Sequence, residues 1–291
     1  MASAAKKKLV VCGGNGFLGS RICKSAVARG WDVTSISRSG EPTWSSVTAS
    51  PNAPDWSRNV FWEKANILQP STYASLLTGA DAVVHSMGIL LEADYKGVLQ
   101  GKESPLSGLS RAFSKTKAGG QNPLEASKDD GIESQEGDSQ ITYELMNRDS
   151  AILLARIANE QKILTYTYIS AAGGAPVLPA RYILTKRAAE STIASSFPAL
   201  RSIFIRPGFL YDSSRAFTIP MAAMTAGGYA FNSITGGIFG GLMGAAGAKP
   251  LKADLVAEAV VEAIGDENVQ GPVEVSKIEE LATKAWRRGM L

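Results

Sequence analysis

Gly13-Gly14-Asn15-Gly16-Phe17-Leu18-Gly19 follows the apolar run Leu9-Val10-Val11-Cys12 and leads into a helical stretch, 18–29, that stops at Gly30. A strand, a glycine-rich turn and a helix in that order make an anion site. The first glycine permits the tight turn, the middle one lets the backbone approach a pyrophosphate, and the last lets the helix pack on the strand. Backbone N–H groups and the positive end of the helix dipole then face the phosphates. The run parses as Gly14-x-Gly16-x-x-Gly19 or as Gly13-x-x-Gly16-x-x-Gly19, and it sets Gly13, Gly16, Phe17, Leu18 and Gly19 against a dinucleotide.

Outward from this unit, short apolar or β-branched runs alternate with helical stretches. Val33-Thr34-Ser35-Ile36-Ser37, Asn59-Val60-Phe61-Trp62 and Ala82-Val83-Val84-His85 come first, then 165–170, 202–206 and Val273-Glu274-Val275. Strands separated by helix-length patterns imply right-handed crossovers and a parallel sheet. The stretch 144–161 reads as one helix with Leu145, Ile152, Leu153, Ala155 and Ile157 on its apolar stripe, and 251–264 reads as a core helix. The expected fold is therefore α/β: a single Rossmann domain spanning 1–291, doubly wound on a parallel sheet, with a small C-terminal substrate lobe. Two segments break the pattern. Residues 92–140 are polar, rich in Gly, Ser and Lys, and aperiodic, as an insertion would be. Residues 216–248 carry no charge and many glycines, and lie where the lobe is expected.

Composition narrows the function. With 291 residues and 45% of them hydrophobic, the chain can bury one large core and an attached lobe. Its net charge of +3 includes Lys6, Lys7 and Lys8, and no basic stripe interleaved with aromatics follows, which argues against nucleic acid as a partner. Only Cys12 and Cys23 are present, so no disulfide framework exists and a reducing compartment is expected. With the first strand beginning by Leu9, neither a secretory signal nor a long transit peptide is expected within these residues. No His, Cys or carboxylate cluster has metal-ligand spacing, and His85, the single histidine, reads as a packing or nucleotide-side residue.

The second strand ends in Ile36-Ser37-Arg38-Ser39-Gly40, where an NAD enzyme would place a carboxylate on the ribose 2′-hydroxyl. Here Arg38, with the hydroxyls of Ser37 and Ser39, suits a 2′-phosphate, so NADP(H) is expected over NAD(H). Of the tyrosines only Tyr182 has a lysine four residues on, Lys186, which places both on one helix face. A phenol with a pKa near 10 is a poor acid or base at neutral pH, and an adjacent ammonium is expected to lower it. The spacing arises often by chance, but Ser170 ends the preceding strand, where it can hydrogen-bond a substrate carbonyl beside the phenol. Asn147, near the start of the helix before that strand, can support the lysine through a backbone carbonyl and water. Ser170, Tyr182, Lys186 and Asn147 form the candidate catalytic set.

In combination these residues resemble the short-chain dehydrogenase/reductase family, in its extended or atypical branch. Gly-x-x-Gly-x-x-Gly, Ser170, Tyr-x-x-x-Lys and Arg206-Pro207-Gly208 extend the likeness over nearly the whole chain. The resemblance implies further cofactor contacts at Asn66 and Ile67, at Ser86, Met87 and Gly88, at Pro207 and Gly208, and at Lys186 through the nicotinamide ribose. Asn66 stands where an aspartate is usual, and Ser86-Met87-Gly88 replaces the commoner Leu-Ala-Gly. Residues 13–23, Ser37-Arg38-Ser39-Gly40, 85–92, Tyr143-Glu144-Leu145-Met146-Asn147 and Arg206-Pro207-Gly208-Phe209 resemble more narrowly a fungal group of such proteins associated with the coenzyme Q (ubiquinone) biosynthesis complex. That group is similar to the NADPH-holding Rossmann accessory subunit of respiratory complex I. The likeness implies a mitochondrial protein at the matrix face of the inner membrane, with coenzyme Q complex proteins as partners.

Three functions follow as expectations: an NADP(H)-dependent oxidoreductase with a lipophilic substrate from the quinone pathway, a non-catalytic NADP(H)-binding subunit of a membrane-associated complex, and a nucleotide-sugar epimerase or dehydratase. The apolar segment 216–248 speaks against the third. It is long enough to cross a bilayer, but Pro220, Asn232, Ser233 and its glycines dilute its hydrophobicity, so a substrate lid or a contact with the membrane surface is expected before a spanning helix.

Overall fold

The structure, a computed structural model, describes residues 6–48, 50–88, 124, 142–173, 180–213, 222–223, 226–227 and 248–290. Seven parallel strands form the main sheet: β1 (Lys8–Cys12), β2 (Asp32–Ser37), β3 (Val60–Lys64), β4 (Ala82–His85), β5 (Thr165–Ile169), β6 (Arg201–Ile205) and, after two short strands, β9 (Gly271–Val273). Their order is β3-β2-β1-β4-β5-β6-β9. The strand order reverses between β1 and β4, and it is at the carboxyl ends of such a pair that doubly wound folds bind their ligands.

The sheet is parallel because its strands are apolar on both faces. In β1, Leu9 and Val11 join one core cluster while Val10 and Cys12 join the other, as the twofold period of a strand requires. On the first face pack α1 (Phe17–Ala28) and later helices α5 (Ala253–Gly265) and α6 (Val275–Gly289). On the second pack α3 (Ser150–Glu160) and α4 (Ala180–Ser196), the remaining helix, α2 (Trp44–Val47), being a single turn before β3. At the end of α1, Gly30 takes φ +74°, which lets its N–H reach the Val27 carbonyl at 2.8 Å and stop the helix.

Three features differ from the sequence expectation. The stretch expected as one helix over 144–161 opens with a π-type turn, Glu144–Asp149, before α3 begins. Its apolar stripe is buried as expected. The last strand ends at Val273 and Val275 starts α6, a helix the sequence reading missed because only Ile278, Leu281 and Ala282 are buried on it. These dock on α5, whose buried Glu262 takes Arg29, Arg288 at 3.0 Å and Lys284 at 3.5 Å. The third feature is a second, two-stranded sheet of β7 (Leu210–Tyr211) and β8 (Leu251–Lys252). Residue 210 pairs with residue 251 and residue 211 with residue 252, in parallel. The expected insertion 92–140 and the apolar segment 216–248 lie almost wholly outside the described residues. Among those residues no helix is long and apolar enough to cross a membrane.

Candidate active site and nucleotide cradle

The glycine turn sits where β1 gives way to α1. Gly13 adopts φ +86°, its N–H donates to the Ile36 carbonyl at 2.8 Å, and its own carbonyl accepts from Gly16 N–H at 2.9 Å. A Cβ on Gly19 would land on the Gly13 carbonyl oxygen, 2.8 Å from its carbon and 2.9 Å from Gly14 Cα, so only glycine lets α1 approach β1 this closely. No side chain caps α1, since Gly16 is its N-cap. The N–H groups of the first turn of a helix suit a phosphate, and so does the buried Ser86 hydroxyl, which has no partner among the described residues.

At the end of β2, Asn15 Nδ2 donates to Ser39 Oγ at 2.7 Å and ties the turn to the ribose side. Arg38 and Ser39 are exposed. Ser37 is buried: its hydroxyl donates to the Gly40 carbonyl at 2.8 Å and shapes the turn. Asn66 is likewise occupied with local structure, its Oδ1 accepting from Leu68 N–H at 3.2 Å, while Ile67 is buried beside it. Residues 86–88 link the two halves of the site. A Cβ on Gly13 would meet Met87 Cγ at 2.7 Å and the Ser86 carbonyl at 3.2 Å, and one on Gly88 would meet Asn147 Oδ1 at 2.9 Å and Lys186 Nζ at 3.5 Å. Pro207 accepts from Ala172 N–H at 2.8 Å, and Gly208 lies under the Lys249 backbone.

Lys186 is 4% exposed and donates to the Ile169 carbonyl at 3.0 Å; its ammonium lies 5.7 Å from the centre of the Tyr182 ring. This end of α4 is held by Tyr143, just before the π turn and edge-on to Tyr182 at 5.8 Å, and by Glu144, the first residue of the turn, which takes Arg181 Nη2 at 2.6 Å and Nε at 3.1 Å. Asn147 is fully buried. Ser170 meets a residue the sequence reading missed: Arg187 Nη1 donates to Ser170 Oγ at 3.0 Å, and its Nη2 holds the carbonyls of Ala171 and Ala172 at 2.7 and 3.1 Å. No motif singles out Arg187, which simply follows Lys186.

The electrostatics correct one expectation. Burial pushes Tyr182 up to about 12, and the cation that offsets it is Arg187, not Lys186. Lys186 is itself pushed down to about 7 by burial, with Glu190 acting to raise it and Arg187 to lower it further. The sequence reading assumed an ammonium at full charge, and its near-complete burial undoes that assumption. His85 is fully buried and pushed down to about 3, first by burial and then by Lys186, with Nε2 2.9 Å from Ser150 Oγ. It is a neutral packing residue. Among the described residues no group of three His, Cys, Asp or Glu is placed to hold a metal ion.

Comparison with known proteins adds the following. The NAD dependent epimerase/dehydratase family matches residues 9–94. MIOREX complex component 2 of Saccharomyces cerevisiae is 41% identical over 222 residues, covering 72% of this chain and 74% of that protein. The uncharacterized chloroplastic protein At1g32220 of Arabidopsis thaliana is 24% identical over an alignment of 307 residues, covering 98% of this chain and 80% of its own. Among solved structures, the Bordetella bronchiseptica enzyme WbmH in complex with NAD+ matches with a TM-score of 0.54 at 15% identity, over 99% of this chain and 83% of that one. Vestitone reductase from alfalfa gives 0.52 at 15%, over 92% and 76%. At these identities the two structures speak to the fold alone.

Proposed function

The chain belongs to the NAD dependent epimerase/dehydratase family, of the short-chain dehydrogenase/reductase kind, and on that premise we propose that it is an NADP(H)-binding oxidoreductase. Its substrate is the carbonyl or hydroxyl group of a lipophilic intermediate of the coenzyme Q pathway. The observation that carries the binding reading is the continuity of residues 86–88, which touch Gly13 at one end and Asn147 and Lys186 at the other. In a bound dinucleotide, Gly13, Gly16 and Gly19 would hold the pyrophosphate, Arg38 and Ser39 the 2′-phosphate, and Lys186 the nicotinamide ribose.

When bound, the nicotinamide supplies or removes the hydride. Tyr182, which burial keeps protonated at neutral pH, gives the proton a carbonyl oxygen needs on reduction. Ser170 accepts from Arg187, which leaves its own O–H free to donate to the same oxygen. The substrate class rests on the family likeness and on the charge-free segment 216–248. A mitochondrial location at the matrix face of the inner membrane and partners in the coenzyme Q complex rest on that likeness, and the yeast relative's name, a complex component, supports assembly with other proteins.

That name also favours a second reading, in which the chain holds NADP(H) as a non-catalytic subunit. Tyr182→Phe separates the two. For an enzyme it should leave NADPH affinity unchanged and lower turnover by about 10²- to 10⁴-fold, so that quinone is not restored in a strain lacking the protein. Full restoration would leave only the scaffold. The choice of cofactor is tested by Arg38→Ala, expected to weaken NADPH about tenfold while NADH changes little, as for loss of one charge-assisted contact. Equal affinity of the wild type for both nucleotides would end the 2′-phosphate argument.

A further inference from the structure

β5 carries two phenols where a buried parallel strand ordinarily carries aliphatic side chains, Tyr166 and Tyr168, both fully buried and on one face of the sheet. Each donates to a backbone carbonyl on the layer above. Tyr166 OH reaches the Ala151 carbonyl at 2.8 Å, and Tyr168 OH reaches the Asn147 carbonyl at 2.5 Å. Only Tyr168 has a second polar contact: its oxygen accepts from Lys186 Nζ at 3.4 Å, and the same ammonium stands 5.0 Å from the centre of its ring.

We propose that Tyr168 is a positioning residue whose hydroxyl, fixed by the Asn147 carbonyl, holds the Lys186 ammonium in place for the nucleotide. The proposal rests on the reading that Lys186 meets the nicotinamide ribose. A water between the Asn147 carbonyl and the lysine was expected from the sequence, and the phenol oxygen of the chain itself bridges these two groups. A hydroxyl can do so because it donates through its hydrogen and accepts through its lone pairs at once. Burial drives the Tyr168 phenol well above its ordinary range, so it stays neutral and keeps that hydrogen.

With the Ile169 carbonyl and Tyr168 taking two of its three N–H groups, Lys186 keeps one for a ligand. Other titratable or charged groups face it from each packed element. His85 comes from β4 and is neutral; Tyr182, Arg187 and Glu190 come from α4 itself. On the π turn Glu144 is paired with Arg181 and Asp149 with Arg148. Tyr168 is the one neutral acceptor side chain among them in hydrogen-bond contact with the ammonium. A hydrogen bond to the charged form favours that form, so the hydroxyl works against the burial that lowers Lys186.

Tyr168→Phe removes the hydroxyl and keeps the ring over the ammonium, and Tyr166→Phe removes the same class of bond without touching Lys186. Both are to be compared with wild type in two measurements: competitive acetylation of Lys186 against pH without nucleotide, read by peptide mass spectrometry, and NADPH titration from pH 5.5 to 9. Tyr168→Phe should move the Lys186 midpoint down by about one unit and weaken NADPH about fivefold near pH 7 and about tenfold near pH 9, with Tyr166→Phe at wild-type values in both. An unmoved midpoint in Tyr168→Phe, or an equal shift in Tyr166→Phe, overturns the proposal. Lys186→Met separates the proposal from the reading beneath it: unchanged NADPH affinity in that variant removes the ribose contact, while the acetylation midpoints still decide whether Tyr168 governs the lysine.

Discussion

Glu190→Ala should lower the unfolding free energy by about 3–5 kcal/mol, the cost typical of breaking a buried ion pair from one side. Glu190 is 4% exposed and takes Arg187 Nη1 at 2.7 Å, Arg206 Nε at 3.1 Å and Arg206 Nη2. Removing the carboxylate leaves two guanidinium groups facing each other with the anion between them gone. Arg206 keeps Glu274 at 2.6 Å, just past the end of β9, but Arg187 has no second carboxylate among the described residues and still has to hold Ser170 and the carbonyls of Ala171 and Ala172. The loss should therefore appear in two measurements: a large drop in the denaturant midpoint at unchanged slope, and a further fall in the Lys186 midpoint, because Glu190 is the group acting to raise it. The exposed pair Lys277 and Glu280, 2.7 Å apart, is the comparison; Glu280→Ala should cost no more than about 0.5 kcal/mol. A Glu190→Ala midpoint within that same range would mean that the buried network contributes nothing.

None of this network could be read from the sequence, and the reason is physical. The strands β1, β2 and β4, the turn and α1 rest on local patterns of period 2 and 3.6, and their positions follow from the residues alone. The reading reached them to within two residues. Tyr182 and Lys186 were legible because one helix turn separates them. Ser170 and Arg187 are 17 residues apart and meet only because α4 packs back over the end of β5. The shifts at Tyr182 and Lys186 were misjudged for a related reason: spacing says which groups are near one another, while burial decides which charge survives. The π turn at Glu144–Asp149 leaves no periodic trace, since its apolar residues still fall on the inward face. Tyr166 and Tyr168 were visible as alternating phenols in a core strand. Their polar ends had to find partners there, which was a signal that the sequence reading passed over.

Gly19→Ala should abolish NADPH binding by about a hundredfold or more and lower stability by several kcal/mol, although propensity alone predicts the opposite. Alanine is about 1 kcal/mol better than glycine inside a helix, and Gly19 sits in the first turn of α1. Sterics decide against it. The added methyl would fall on the Gly13 carbonyl oxygen and within 2.9 Å of Gly14 Cα, and its three nearest atoms are all backbone, so the clash is not relieved by rotating a side chain. Relief requires α1 to back off β1 by about 1 Å, given that carbon atoms rest at about 3.5–4.0 Å. Ile22, Cys23 and Ala26 on α1 are wholly buried against the sheet, so the move opens the core along the helix as well as the turn at its end. The pyrophosphate cradle is lost in the same step, because Gly13, Gly16 and the first N–H groups of α1 no longer converge. Gly30→Ala isolates conformation from contact. Gly30 has φ +74° but nothing within 4 Å of its missing Cβ, so alanine there should cost about 1 kcal/mol and leave NADPH affinity unchanged. Thermal melts and NADPH titrations on the two variants decide it. If Gly19→Ala melts and binds like wild type, the close approach of α1 to β1 is not what builds the site.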